Sequence, residues 1–400
     1  MRRRARTILV VAVLVLGGLL GAAAARGQLQ GQISTAKSMY VAGEPIYVHF
    51  EVTNVGKEPV EYSAGDPYAD GCGGYSLAVS SAPPLKHPSC APVKSNECIV
   101  VNQILAAGET VRQNILVNFA HDVAKPGDYQ IHAVRTMKYR PLTGVGTLWA
   151  DGKDFKLEKS LQIQVTQTNR EALQAIYQVY VTNLRSQDDE IQRDAERAIV
   201  SGAMPWLEDT IVGMVRQYRS REFALLGLKN LNTARSREEL AKIVQSTSDF
   251  TPENETAVGY LAQMGDKKYF SMLLEIAKKL EASQGREYVL AAAELGGDDA
   301  VPFLKELLAS ADANARANGV MGLGVSGSRA AVPLLIETLK DGNADFRKLA
   351  ENGLTGLTHR RVSAEGDAPS EQAGKWAAWW GAEGSSAKVY GPRECGEVLP

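Results

Sequence analysis

Ala300-Val301-Pro302-Phe303-Leu304 returns as Ala331-Val332-Pro333-Leu334-Leu335, an offset of 31 positions (332 minus 301). The same offset carries Asp312-Ala313-Asn314-Ala315-Arg316 onto Asn343-Ala344-Asp345-Phe346-Arg347, and Gly322-Leu323 onto Gly353-Leu354. Working backward, Gly227, Gly259 and Ala291 fall into register with Gly322 and Gly353, at steps of 32, 32, 31 and 31. Arg221, Arg316 and Arg347 each stand six residues before their small residue. Self-similarity at a fixed period of this length marks a stacked repeat, one supersecondary unit per copy.

Each unit has room for two helices of about three turns. Asp312 and Asn343 are suited to cap the first helix, because a short polar side chain satisfies free backbone N–H groups there. The small residue at 227, 259, 291, 322 or 353 lets two helices approach closely, and Gly there costs roughly 1 kcal/mol of helix propensity. Pro302 and Pro333 stand near the start of the second helix, where a missing N–H does no harm. Val301, Leu304, Leu307 and Leu308 then face the neighbouring repeat. One helical pair cannot bury its own apolar faces, so the pairs stack into a curved α-solenoid.

The A-V-P-x-L element, the D/N-A-x-x-R turn and the closing G-L resemble HEAT-like repeats, an armadillo-like helical class of the type also seen in phycobilin lyases. The resemblance covers at least residues 221–357. It implies a solenoid that binds proteins, and it carries no lyase chemistry over, since no bilin-attachment signature accompanies it. The solenoid is assigned to residues 169–360. A first helix runs from 169 to about 186, and residues 191–218 form a degenerate earlier pair.

Upstream the period is two. Ile46, Val48, Phe50 and Val52 share one face, while Tyr47, His49, Glu51 and Thr53 share the other. The alternation recurs in Val111, Ile115, Val117 and Phe119, in Tyr129, Ile131 and Ala133, and in Leu161, Ile163 and Val165. A strand puts successive side chains on opposite faces, so the pattern predicts antiparallel sheets buried on one side. Turn signals such as Asn54-Val55-Gly56 and Pro126-Gly127-Asp128 separate the strands, and residues 30–167 are predicted to form a β-sandwich. The stretches Ala42-Gly43-Glu44-Pro45-Ile46-Tyr47-Val48 and Pro126-Gly127-Asp128-Tyr129 resemble immunoglobulin-like domains of exported bacterial proteins, and also a proteinase-inhibitor type.

The N-terminus adds a compartment. Arg2, Arg3, Arg4 and Arg6 precede an uncharged run, residues 8–20, and then Gly21-Ala22-Ala23-Ala24-Ala25. A basic start, a short apolar run and a small-residue exit read as a signal peptide over residues 1–25, cleaved near Ala24 or Ala25. The rival is an uncleaved anchor, for which the run is short and glycine-bearing. No other stretch is apolar enough to span a membrane. The expected location is therefore periplasmic or secreted. In an oxidising compartment Cys72, Cys90, Cys98 and Cys395 are disulfide candidates; four cysteines allow three pairings, and sequence does not choose. Metal binding through His87, Cys90 and Cys98 is the weaker rival, with no compact ligand pair to support it.

Residues 361–400 are a tail. Trp376, Trp379 and Trp380 fall at i, i+3 and i+4 of a helix and so share one face. That face reads either as a cap closing the apolar end of the solenoid or as an aromatic platform for sugar or peptide. Chemistry is sparse elsewhere. Gly324-Val325-Ser326-Gly327-Ser328 resembles a nucleophile elbow but lacks the final Gly and falls in a repeat turn. His49 and His132 fall on polar strand faces, and His359 sits beside Arg360 and Arg361 after the last repeat. Lys+Arg 44 against Asp+Glu 46 gives a net charge of -2, without the basic excess a nucleic-acid binder shows. No cofactor, metal or catalytic residue is assigned. The sequence therefore reads as a non-enzymatic scaffold of the bacterial cell envelope, binding a protein partner through the solenoid. The alternative is a proteinase-inhibitor-like or ligand-binding module using the stretch 66–98.

Overall fold

The computed structural model describes residues 28–65, 74–80, 101–142, 147–217, 221–246, 251–364, 366–384 and 386–391. The segment 1–25, all four cysteines and most of the stretch 66–98 lie outside them.

Among the described residues nine strands come first: β1 (Leu29–Thr35), β2 (Met39–Val41), β3 (Tyr47–Asn54), β4 (Val60–Ala64), β5 (Tyr75–Val79), β6 (Val101–Leu105), β7 (Thr110–Leu116), β8 (Gly127–Pro141) and β9 (Lys153–Thr166). A one-turn helix, α1 (Leu148–Asp151), precedes β9. They form two sheets, β1-β3-β7 and β2-β9-β8-β4-β6, with β5 also paired to β8. The alternating residues meet between the sheets: Val48, Phe50 and Ile115 pack with Tyr129, Ile131, Leu161 and Ile163. Arg135 is buried beside this core; its Nη2 donates to the Ser63 carbonyl at 3.0 Å and its guanidinium lies 4.0 Å from the centre of the Tyr75 ring.

Three details depart from the sequence reading. The sheets are not wholly antiparallel, because β2 runs parallel to β9. The chain switches sheets within residues 36–38, and a strand that keeps its running direction through such a switch meets its new neighbour in parallel. The alternation at Val117 and Phe119 does not continue β7: the strand ends at Leu116, and Val117–Phe119 is a short 3₁₀ turn. Tyr47 and Leu116 point away from the intersheet core and are nevertheless buried, because helices cover that face.

The helices are α2 (Arg170–Asn183), α3 (Asp189–Gly202), α4 (Glu208–Val215), α5 (Arg221–Leu231), α6 (Ala234–Gln245), α7 (Pro252–Gln263) and α8 (Phe270–Lys279). After them come α9 (Arg286–Gly296), α10 (Val301–Leu308), α11 (Ala313–Val325), α12 (Ala331–Thr338), α13 (Ala344–Thr358) and α14 (Pro369–Glu383). Helices α3, α5, α7, α9, α11 and α13 stack side by side as one row. Helices α4, α6, α8, α10 and α12 form a second layer, each packed on the row but hardly on one another. The closely spaced helices form the inner row.

Local chemistry explains the starts and spacings. Asp312 accepts from the N–H groups of Asn314 and Ala315 at 2.7 and 3.1 Å, and Asn343 from that of Asp345 at 2.8 Å. The repeated arginine is a clamp: Arg347 Nη1 donates to the Asp341 carbonyl at 2.8 Å, and Arg221 Nε to the Val215 carbonyl at 3.2 Å, each six residues back. Close approach holds at Gly227, Gly322 and Gly353, where an added Cβ would meet Ile211, Leu304 and the Gly324 backbone. It fails at Gly259, which has nothing within 4 Å; there the buried neighbours Val258 and Ala262 face the row instead. The far end of the stack is closed by α14, whose Trp376 is fully buried in the helical core.

These contacts separate two glycines that look alike in sequence. A Cβ at Gly324 would lie 2.8 Å from the Gly353 Cα, so Gly324→Ala forces two backbones apart and is expected to destabilise by about 1–3 kcal/mol. Gly259→Ala gains helix propensity in open space and is expected to stabilise by up to about 1 kcal/mol. Urea unfolding of the two variants gives the signs. Trp376→Ala, which empties the end of the core, is expected to cost about 3–5 kcal/mol in the same assay.

Candidate functional site

The sheets and helices meet through the outer face of β3 and β7. The ladder pairs Tyr47 with Leu116, His49 with Asn114 and Glu51 with Arg112. Tyr47 and Leu116 pack on Ala198 of α3, with Phe119 and Tyr180 beside them. The Tyr47 hydroxyl donates to the Asp194 carbonyl. Asn114 Nδ2 donates to Asp194 Oδ2 at 2.6 Å, and its Oδ1 lies 2.7 Å from His49 Nδ1. From α2, Tyr177 sends its hydroxyl to the Gly43 carbonyl at 3.0 Å, over Gly202, where any Cβ would collide with it. The loop that receives it is braced by Asn118, which accepts from the Ile46 N–H at 2.7 Å and donates to the Glu44 carbonyl at 3.1 Å.

An open cleft of about 220 Å³ runs along this junction, lined by Asn118, His121 and Asp122 on the sheet side and Tyr177, Ser201 and Met204 on the helix side. His121 Nε2 lies 3.3 Å from the Leu77 carbonyl. Its Nδ1 is buried and has no hydrogen-bond partner among the described residues.

Burial sets the electrostatics here. It pushes Tyr180 up to about 12, aided by Glu44 and Asp194. It also raises the Asp194 carboxyl above the ordinary carboxylate range, against the Asn114 hydrogen bond and the charges of Arg197, His49 and Arg193. Glu190, one turn earlier, is raised by burial and then by Asp194.

The inner row offers the second surface. Glu222 and Glu255 are exposed on α5 and α7, and Glu287 of α9 is half-buried. Burial and then the charge of Glu255 raise the Glu287 carboxyl. Tyr260 stands between, raised by burial and by Glu222, with Lys229 Nζ 5.4 Å from its ring centre.

The tryptophans share one helix but not one environment. Trp376 Nε1 donates inward to Glu351 Oε2 at 2.9 Å, whereas Trp379 and Trp380 are half-buried at the edge of the core. Ser326 and Ser328 are buried in a turn, Ser326 donating to the Leu323 carbonyl at 2.8 Å and Ser328 to Asp298. No group of three or more metal-ligating side chains occurs among the described residues, and no described helix is long and apolar enough to cross a membrane. The disulfide candidates Cys72, Cys90, Cys98 and Cys395 lie outside the described residues. Sequence reasoning missed Tyr47, Asn114 and Asp194. Their only signal was a large aromatic at the polar phase of a strand.

The fold and this geometry can be set beside known proteins. A model of HEAT repeats matches residues 284–355. HEAT repeats are thus matched within the helical region, which follows a sheet-rich N-terminal region. No curated protein matches the chain. Among solved structures, the complex of CpcE and CpcF of phycocyanin lyase from Nostoc sp. PCC7120 aligns at TM-score 0.29 and 18% identity, over 52% of this chain and 82% of that one. The Salmonella alpha-2-macroglobulin reacted with methylamine gives 0.18 and 12%, over 88% of this chain and 27% of its own. The trypsin-activated alpha-2-macroglobulin from Escherichia coli gives 0.19 and 11%, over 89% and 28%.

The Asp194 geometry makes a pH prediction. A carboxyl raised in the folded state favours folding while protonated. That contribution is complete below the unfolded value, about 3.9, and is lost as pH rises through the folded one. Asp194→Asn keeps an acceptor for Asn114 and removes the loss. Its stability relative to wild type should therefore climb as pH rises above about 4 and level once the folded carboxyl has ionised, measured by urea unfolding at stepped pH. A difference that stays constant or falls over that range overturns the assignment.

Proposed function

We propose that this chain is a non-catalytic scaffold of the bacterial cell envelope that holds a protein partner on the inner row of its HEAT repeats. In this reading residues 1–25 direct export and the sheet region is an immunoglobulin-like module in the periplasm or outside the cell. The observation that carries the proposal is the carboxylate-bearing face of α5, α7 and α9. Those helices carry Glu222, Glu253, Glu255, Glu287 and Glu294 against Arg221, Lys229 and Arg286, and Arg221 is engaged with the Val215 carbonyl. Burial, and then the charge of Glu255 on the neighbouring helix, raise the cost of ionising Glu287. A partner presenting lysine or arginine relieves that repulsion, and Tyr260 adds an aromatic surface among the charges.

The mature chain from about residue 26, immobilised and exposed to envelope extract, is expected to enrich a basic partner over blank beads. Reversing Glu222, Glu255 and Glu287 to Lys should weaken capture about 10-fold or more without lowering the melting temperature, because repulsion between Glu255 and Glu287 is not a contact the fold uses. Equal capture by the reversed variant, or no enrichment by wild type, counts against the reading.

A further inference from the structure

We draw no further inference here: the strongest candidate, the open cleft between the sheet and the first helices lined by His121, Asp122 and Ser201, belongs to the site already described, where Asn118 and Tyr177 are committed to the Ile46 N–H and the Gly43 carbonyl and nothing in the structure shows what fills it.

Discussion

A helical pair in a stack has two apolar faces and only its neighbours to cover them. The interior pairs of this chain meet that need by repetition, but the two ends cannot. At one end the cover is a β-sheet: the outer face of β3 and β7 lays Tyr47 and Leu116 on Ala198. At the other it is α14, which drives Trp376 into the core and ties its indole N–H to Glu351. The sheet region and the tail are thus both required by the array. Without them α3 and α13 would expose apolar surface of the kind that aggregates.

Between the ends, spacing is controlled by small residues and by arginine. Gly322 admits the Leu304 side chain and Gly324 lies against Gly353, so α11 sits close to both its layer partner and the next row helix. Arg221 and Arg347 reach back to carbonyls at the close of the preceding turn, which fixes the angle at which each row helix starts. A glycine removes material while an arginine adds a directional restraint, and the repeat uses both at fixed separation. Arg316 uses its guanidinium differently, lying 4.8 Å from the centre of the Phe346 ring in the next repeat.

This division explains what could be read in advance. Repeats, caps at Asp312 and Asn343, and alternation in β8 and β9 are local patterns, each visible within a few residues. The strand face carrying Tyr47, His49 and Glu51 was read as exposed, because an interface with another part of the same chain has the composition of a surface. Gly259 was read as a contact glycine because the period is not strict. The buried face of that helix is carried by Ala257, Val258, Leu261 and Ala262, and Gly259 falls beside it.

The junction also bears on how the two halves act. Tyr47, Asn114 and Tyr177 each make a hydrogen bond across it, from three separate elements to Asp194 and Gly43. Hydrogen bonds lose strength steeply with misalignment, so rotation about any one of them breaks the other two. The sheet region is therefore a fixed extension of the row rather than a tethered module. Anything seated along α5, α7 and α9 meets a surface whose first wall is already set in place by α3.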